Sequence, residues 1–279
     1  VAAVAKQASE TTAADMDAFF EEKWALDAQY TVKEALSQQV AVIGENLNIR
    51  RFEKFEKAQA GKLVSYIHGG GRIGAIVAGT GEATDAVKEA LTNVAMQIAA
   101  MNPQYVSRND ISTEELVKMH DITLESALND PFSLPKPILN ALLDKAVDGV
   151  WAAEDVEILA EKRADKSFNF NYLPNFLTEE AKTRLAGLAI AAKLEISENK
   201  IFKGLVDGRI KKQLKEICLV DQIYVKDGEM TVGKYIESVA KAEGCALAVK
   251  RFVRFETGEG IEKKEENFAE EVAKQMANA

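Results

Sequence analysis

The residues best placed to do chemistry lie together at His68, Gly69, Gly70, Gly71, Arg72, Ile73 and Gly74. Gly69, Gly71 and Gly74 satisfy G-x-G-x-x-G, the pattern that lets a pyrophosphate approach the backbone at a helix N-terminus. That chemistry needs a helix after the glycines, whereas Ile73 to Ala78 is an apolar run that predicts a strand ended by Gly79 and Gly81. The His-Gly-Gly-Gly order also matches the oxyanion loop of esterases, but such a loop serves a G-x-S-x-G nucleophile, and the sequence contains none. From the residues alone His68 keeps two readings. It is a strand-end residue capping a tight turn, which the residues favour, or an exposed contact residue held rigid by glycines.

The other titratable groups offer less. Cys218 and Cys245, with His68 and His120, make no four-ligand metal site by spacing, so neither metal nor cofactor is expected. The cysteines suit small buried hydrophobes in a reduced, intracellular setting. Lys200, Lys203, Arg209, Lys211, Lys212 and Lys215 occupy the polar side of an amphipathic helix. With 35 basic against 44 acidic side chains, net −9, a solvated face is expected there, with no nucleic-acid or membrane partner. Glu259, Glu262, Glu265 and Glu266 precede or open a last helix and favour its dipole. No apolar run approaches the ~20 residues of a membrane span. The chain opens at Val1 with no signal-peptide pattern, and Val1, Val4 and Ala8 already keep helical spacing, as in a chain entered mid-domain. These residues point to binding rather than catalysis.

The elements follow from periodicity. Thr31 with Glu34 is a capping box, and Val32, Leu36, Val40 and Ile43 predict a helix ended by Gly44. Leu47 and Ile49 alternate with polar neighbours, predicting a strand, before a break at Ala58 to Gly61. Residues 62 to 78 predict a hairpin turned by the glycines. Val87, Leu91, Val94, Ile98 and Met101 predict a helix stopped at Asn102 and Pro103. Leu247, Val249, Val253 and Phe255, with Arg251 the exception, predict a third strand of the same sheet. Between them, a capping box at Ser112 and Glu115 starts the stripe Leu116, Met119, Thr123, Ala127, and Phe202, Val206, Ile210, Leu214, Ile217 form a matching one. The pair predicts a helical hairpin. Its tip, Pro131 to Lys193, is rich in proline and aromatics and is expected to pack on itself, with helices at 138–147 and 179–192, so that its deletion would leave the flanking helices paired. Phe268, Val272 and Met276 predict a short terminal helix.

Ile43-Gly44-Glu45-Asn46-Leu47-Asn48-Ile49-Arg50-Arg51 resembles the I-G-E-N-I-N-I-R-R stretch of the elongation factor Ts family. Further segments match that family in order: Tyr66-Ile67-His68-Gly69, Arg72-Ile73-Gly74, Ala95 to Ala100 before Pro103, Val206-Asp207-Gly208-Arg209, Thr231-Val232-Gly233, and Arg254-Phe255 through Ile261-Glu262. The resemblance covers about two thirds of the chain, and motifs in series are more specific than any single glycine pattern. It implies guanine-nucleotide exchange on elongation factor Tu in the cytoplasm, by protein contact and without covalent catalysis.

The fold it implies is the one the periodicities predict, α+β. Two small subdomains with antiparallel sheets and packed helices are expected, the second interrupted by a helical hairpin carrying an insertion. The boundaries are 1–60 for the first subdomain, 61–111 with 218–262 for the second, 112–217 for the hairpin with its insertion at 131–193, and 263–279 for a terminal module. The partner-facing positions carried over are Ile43, Gly44, Asn46, His68, Arg72, Tyr224, Val225, Phe268 and Val272, which turns His68 into a contact residue. The family's N-terminal helical domain and its T-D-F-V motif, whose phenylalanine wedges near the partner's magnesium site, would lie upstream of Val1, which implies docking with impaired GDP release. The insertion has no counterpart in shorter family members. A homodimer through the hairpin, and an interaction protein working through the aromatic insertion, are the further expectations.

Overall fold

The computed structural model describes residues 1–56, 61–82 and 84–260. Their contacts separate two units, residues 1–99 with 243–260, and residues 100–242. The fold is α+β, with small antiparallel sheets and packed helices.

In the first unit, helices α1 (Ala2–Glu10) and α2 (Met16–Glu21) precede a ribbon, β1 (Lys23–Trp24) and β2 (Asp27–Thr31), and helix α3 (Val32–Ile43). The predicted capping box forms. Thr31 Oγ1 accepts from the Glu34 N–H at 3.2 Å, and the Glu34 carboxylate accepts from the Thr31 N–H at 2.8 Å. Ala8, Phe19 and Val32 form a small core with Trp24, Ile49 and Phe52 against it.

The strand predicted around Leu47 and Ile49 is not there: residues 44–56 join no ladder among the described residues. Side chains hold the segment instead. The Arg51 guanidinium lies 4.6 Å over the Phe255 ring and that of Arg251 4.6 Å over Phe55, while Arg51 pairs with Glu259 at 3.0 Å and Arg251 with Glu53 at 2.6 Å. Ile49 and Phe52 pack on the Phe19 core, so the apolar residues here report side-chain packing and not backbone pairing.

The predicted hairpin is strands β3 (Gly61–His68) and β4 (Ile73–Thr80), and the predicted third strand follows far along the chain as the last one, residues Ala248–Glu256. Ala78 faces Arg251 and Gly79 faces Val249, so Lys250 is an extra residue, a bulge. It inverts the strand's phase, which is why Arg251 breaks the apolar alternation.

Helix α4 (Asp85–Met101) starts where the Thr84 hydroxyl accepts from the Val87 N–H at 3.2 Å and stops at Asn102, whose φ is 45°. Val87, Leu91, Val94 and Ile98 are fully buried, with Ala75 and Val77 of β4 beside them in the core. At Gly79 a Cβ would stand 2.8 Å from Leu91 Cδ2 and 3.0 Å from the Ala248 carbonyl, so the helix can approach the sheet only over glycine. Gly79→Ala should therefore lower the unfolding free energy by about 1 to 3 kcal/mol, the cost of overpacking. The urea midpoint reads this, and an unshifted midpoint would mean that α4 moves aside freely.

In the second unit, α5 (Thr113–Asn129) pairs with a later 18-residue helix, Lys200–Ile217, as predicted. Between them come α6 (Lys136–Val147), α7 (Ala153–Ala164), α8 (Glu179–Ala191) and α9 (Lys193–Glu198), so the Lys200–Ile217 helix is α10. At the hairpin base Ile111, Leu214 and Cys218 are buried with Met119 and Ile210 packed on them. Leu116, assigned to the same stripe, is 37% exposed, because Tyr105 and Ile111 fill the base in its place. The stripes meet within the chain, and nothing supports the homodimer expected through them.

The insertion does pack on itself, but not alone. Leu139, Leu143, Trp151, Leu159 and Leu185 share one core with Ala127 and Leu128 of α5 and Phe202 and Val206 of α10. Deleting 131–193 would strip cover from these four, so the hairpin stripes pair independently only near the base. Buried Asp155 accepts from the Thr178 N–H and hydroxyl, both at 2.9 Å, while Thr178 caps α8.

The α5 capping box carries a pH signature. Hydrogen bonds from the Ser112 N–H and hydroxyl and the Tyr105 hydroxyl hold the Glu115 carboxyl below its ordinary 4.5. The stability this adds is complete above pH 4.5 and is lost as pH falls from there through the lower folded value, because over that range the unfolded state takes up the proton and the folded state does not. Glu115→Gln should flatten that part of the acid limb in a urea–pH series.

Two ribbons complete the picture. β5 (Ile223–Tyr224) and β6 (Asp227–Thr231) lead into α11 (Val232–Glu243), after which the third strand of the first unit, Ala248–Glu256, is β7. The β5–β6–α11 group repeats β1–β2–α3 at 200 positions: Thr31 with Thr231, Val32 with Val232, Gly44 with Gly244. The registers agree, Lys23 facing Thr31 as Ile223 faces Thr231, and Trp24 facing Asp27 as Tyr224 faces Asp227. Both aspartates accept, through Oδ1, from the N–H two residues on at 3.0 Å. Residue spacing alone does not show this repeat, because few identical residues recur across it.

Candidate functional site

The candidate contact residues of the first unit sit on two turns. Ile43 ends α3 and is 52% exposed; Gly44 follows with φ 77°, its N–H donating to the Val40 carbonyl at 2.9 Å. This is a left-handed helix cap, which a β-branched residue would enter only with strain. Asn46 is exposed just beyond it.

His68 ends β3, facing Ile73 across the hairpin, and is exposed. Gly69, Gly70 and Gly71 take φ of 59°, 66° and 100°, three consecutive positive values that L side chains rarely adopt. The glycine run thus makes a tight strand-to-strand turn with no helix behind it, and the dinucleotide pattern lacks the element that would bind a pyrophosphate. The Tyr66 hydroxyl stands 3.1 Å from His68 Nδ1 and steadies the imidazole from the same strand face. Exposed Arg72 closes the turn, its N–H donating to the Gly69 carbonyl at 3.3 Å.

The turn after β7 links the two. The Thr257 N–H donates to the Arg72 carbonyl at 2.9 Å, and Glu259 holds Arg51. A short chain segment therefore fixes both the glycine turn and the extended segment leaving the Ile43 turn, an arrangement the sequence motifs did not disclose.

In the second unit the predicted pair divides. Tyr224 is buried, its ring stacked on Tyr235 at 4.3 Å, and it supports the ribbon turn instead of presenting a surface; Val225, at the tip, is 49% exposed. Tyr224 is the last residue of β5 and packs on Tyr235, whereas Val225 opens the two-residue turn that follows, which is why one is covered and the other exposed. Phe268 and Val272 lie outside the described residues.

No group of acids, histidines or cysteines that could hold a metal occurs among the described residues, and no described helix is long and apolar enough to cross a membrane. Cys218 is buried at the hairpin base, and burial pushes its thiol up, away from the thiolate a nucleophile needs. What the site offers is rigid, exposed turns for recognition.

Comparison with known proteins agrees with the motifs. The family described as Elongation factor TS matches residues 1–259. Elongation factor Ts of Clostridium botulinum strain Eklund 17B is 36% identical over 275 residues, 98% of this chain and 68% of that relative. Elongation factor Ts of Clostridium tetani strain Massachusetts is 36% identical over 277 residues, 99% of this chain and 69% of the relative. That of Clostridium perfringens strain SM101 is 38% identical over 250 residues, 89% and 61% of the two chains. With the motif order, the mixed fold and a match over nearly the whole length in agreement, this chain belongs to the elongation factor Ts family, a family of translation elongation factors.

Proposed function

We propose that this protein is a guanine-nucleotide exchange factor for elongation factor Tu, working in the cytoplasm through protein contacts and without covalent chemistry. The family match over residues 1–259 carries the reading. Support comes from the exposure of Ile43, His68 and Val225 on turns whose backbones are fixed by hydrogen bonds or paired strands. Such turns lose little freedom on binding, which leaves more of the contact energy for affinity. Ile43, Gly44, Asn46, His68, Arg72 and Val225 are the contact residues in this reading, with Phe268 and Val272 contributed by a terminal module. The division at 1–60, 61–111 with 218–262, 112–217 and 263–279 belongs to the same proposal.

Exchange then follows from linkage. A protein that binds nucleotide-free elongation factor Tu more tightly than the GDP form must be weakened by GDP, and must weaken GDP binding by the same factor. The rival reading, an interaction protein using the aromatic insertion, keeps, among the described residues, only Tyr172 and Phe176 as clearly exposed rings, since Phe168 and Phe170 pack against the insertion core. Titrating the labelled chain with elongation factor Tu, with and without saturating GDP, tests the coupling. Affinity at least about fivefold higher without GDP is expected. Equal affinity in both would contradict it.

A further inference from the structure

The repeat shows a second exposed aliphatic residue on the equivalent turn, one position further along: at the offset of 200, Val225 matches Ala25 and Leu26 matches Lys226. Both ribbons turn through two residues between paired strands: Ala25 and Leu26 in the first, Val225 and Lys226 in the second. Each turn carries one large aliphatic side chain at its tip, Leu26 at 73% exposure and Val225 at 49%. Tight turns favour glycine, asparagine and aspartate, and a leucine there keeps apolar surface in water for no gain within the fold.

The first turn is also braced from beneath. Gln7 of α1 is only 5% exposed, and it spans the turn: its Nε2 donates to the Lys23 carbonyl at 2.9 Å, and its Oε1 accepts from the Ala25 N–H at 2.9 Å. A buried amide satisfied on both sides of a turn fixes that turn's backbone. Leu26 is thus an exposed apolar group on a rigid mount. It borders a groove of about 1050 Å³ whose wall also holds Tyr30, Leu47 and Ile43, so it is continuous with the candidate contact turn at Ile43.

We propose that Leu26 is a contact residue for the same protein partner as Ile43, inserting into an apolar pocket of elongation factor Tu, and that Gln7 is the positioning residue that holds its turn. This rests on the exchange-factor reading. The occupant is one apolar pocket on a folded protein, because a single projecting side chain beside a groove offers a knob and not a flat face for a second copy.

The test is equilibrium binding of the full chain to purified elongation factor Tu loaded with GDP, comparing wild type with Leu26→Asp, Leu26→Ser, Leu26→Ile and, as the reference, Val225→Asp. Leu26→Asp and Leu26→Ser should weaken binding at least about tenfold, as loss of a buried anchor does. Leu26→Ile should stay within about threefold, since volume and apolarity are kept. The thermal midpoints should be unchanged, because Leu26 contributes no core. If Leu26→Asp binds as wild type does while Val225→Asp is weakened, the Leu26 inference is overturned and the exchange reading stands. If wild type itself does not bind, both fall. If Leu26→Ser lowers the midpoint and leaves affinity unchanged, Leu26 is a folding residue and the inference is wrong.

Discussion

Phe202→Ala should destabilise the second unit by about 3 to 5 kcal/mol, the range for truncating a buried aromatic in a packed core. The Phe202 ring is 1% exposed and belongs to the cluster that joins α10 to the insertion, with Leu128, Leu143 and Leu185 in the same core. The walls come from several elements at once, α5, α6, α8 and α10, so no single one can shift to close the void without losing its own contacts. Denaturant unfolding followed by the fluorescence of Trp151, which is buried in that cluster, reads the loss directly. A shift of less than 1 kcal/mol would mean that insertion and hairpin do not share a core, and would restore the expectation that 131–193 can be excised cleanly.

His68→Ala is expected to weaken binding to elongation factor Tu about tenfold, or about 1.4 kcal/mol, while leaving the thermal midpoint where it is. The side chain lies in solvent beside three glycines of positive φ, with the Tyr66 hydroxyl of the same strand as its hydrogen-bonding neighbour among the described residues. It therefore contributes little to the core, and whatever it contributes to affinity comes from outside the chain. Tyr66→Phe provides a graded companion: it removes the hydroxyl that steadies the ring and should cost less than His68→Ala. An unchanged dissociation constant for His68→Ala would remove that residue from the contact set.

Much of this architecture is written locally. The Gly44 cap, the boxes at Thr31 and Ser112, the glycine-turned hairpin and the α4 stripe were legible because each is decided within one or two turns of chain. Features decided by distant partners were not. Leu47 and Ile49 alternate with polar neighbours like a strand, and Ile49 packs on the Phe19 core, yet no ladder forms among the described residues. Arg251 looked anomalous because a bulge at Lys250 changes the strand's phase, and a bulge is visible only against its partner. Helix α7 went unnoticed: its N-cap is Ala152, with no side-chain bond to signal a start, and Leu159 is its one buried apolar residue.

The site shows the same division. Motif order found the turns at Ile43 and His68 and the Val225 region, but it could not tell buried Tyr224 from exposed Val225. Nor did it mark exposed Leu26, which carries no motif. The repeat at 200 positions marks the turn that carries it, though not the residue itself, and is faint because few identical residues, among them Thr31, Val32 and Gly44, recur across that distance.

The most direct test of the central claim is the rate at which a fluorescent GDP analogue leaves elongation factor Tu when this chain is added in increasing amounts. Exchange activity predicts that the release rate rises with concentration toward a plateau, and that His68→Ala needs a higher concentration to reach the same rate. Release that stays at the spontaneous rate, at concentrations where a titration shows the complex fully formed, would contradict exchange and leave a protein that docks without loosening the nucleotide.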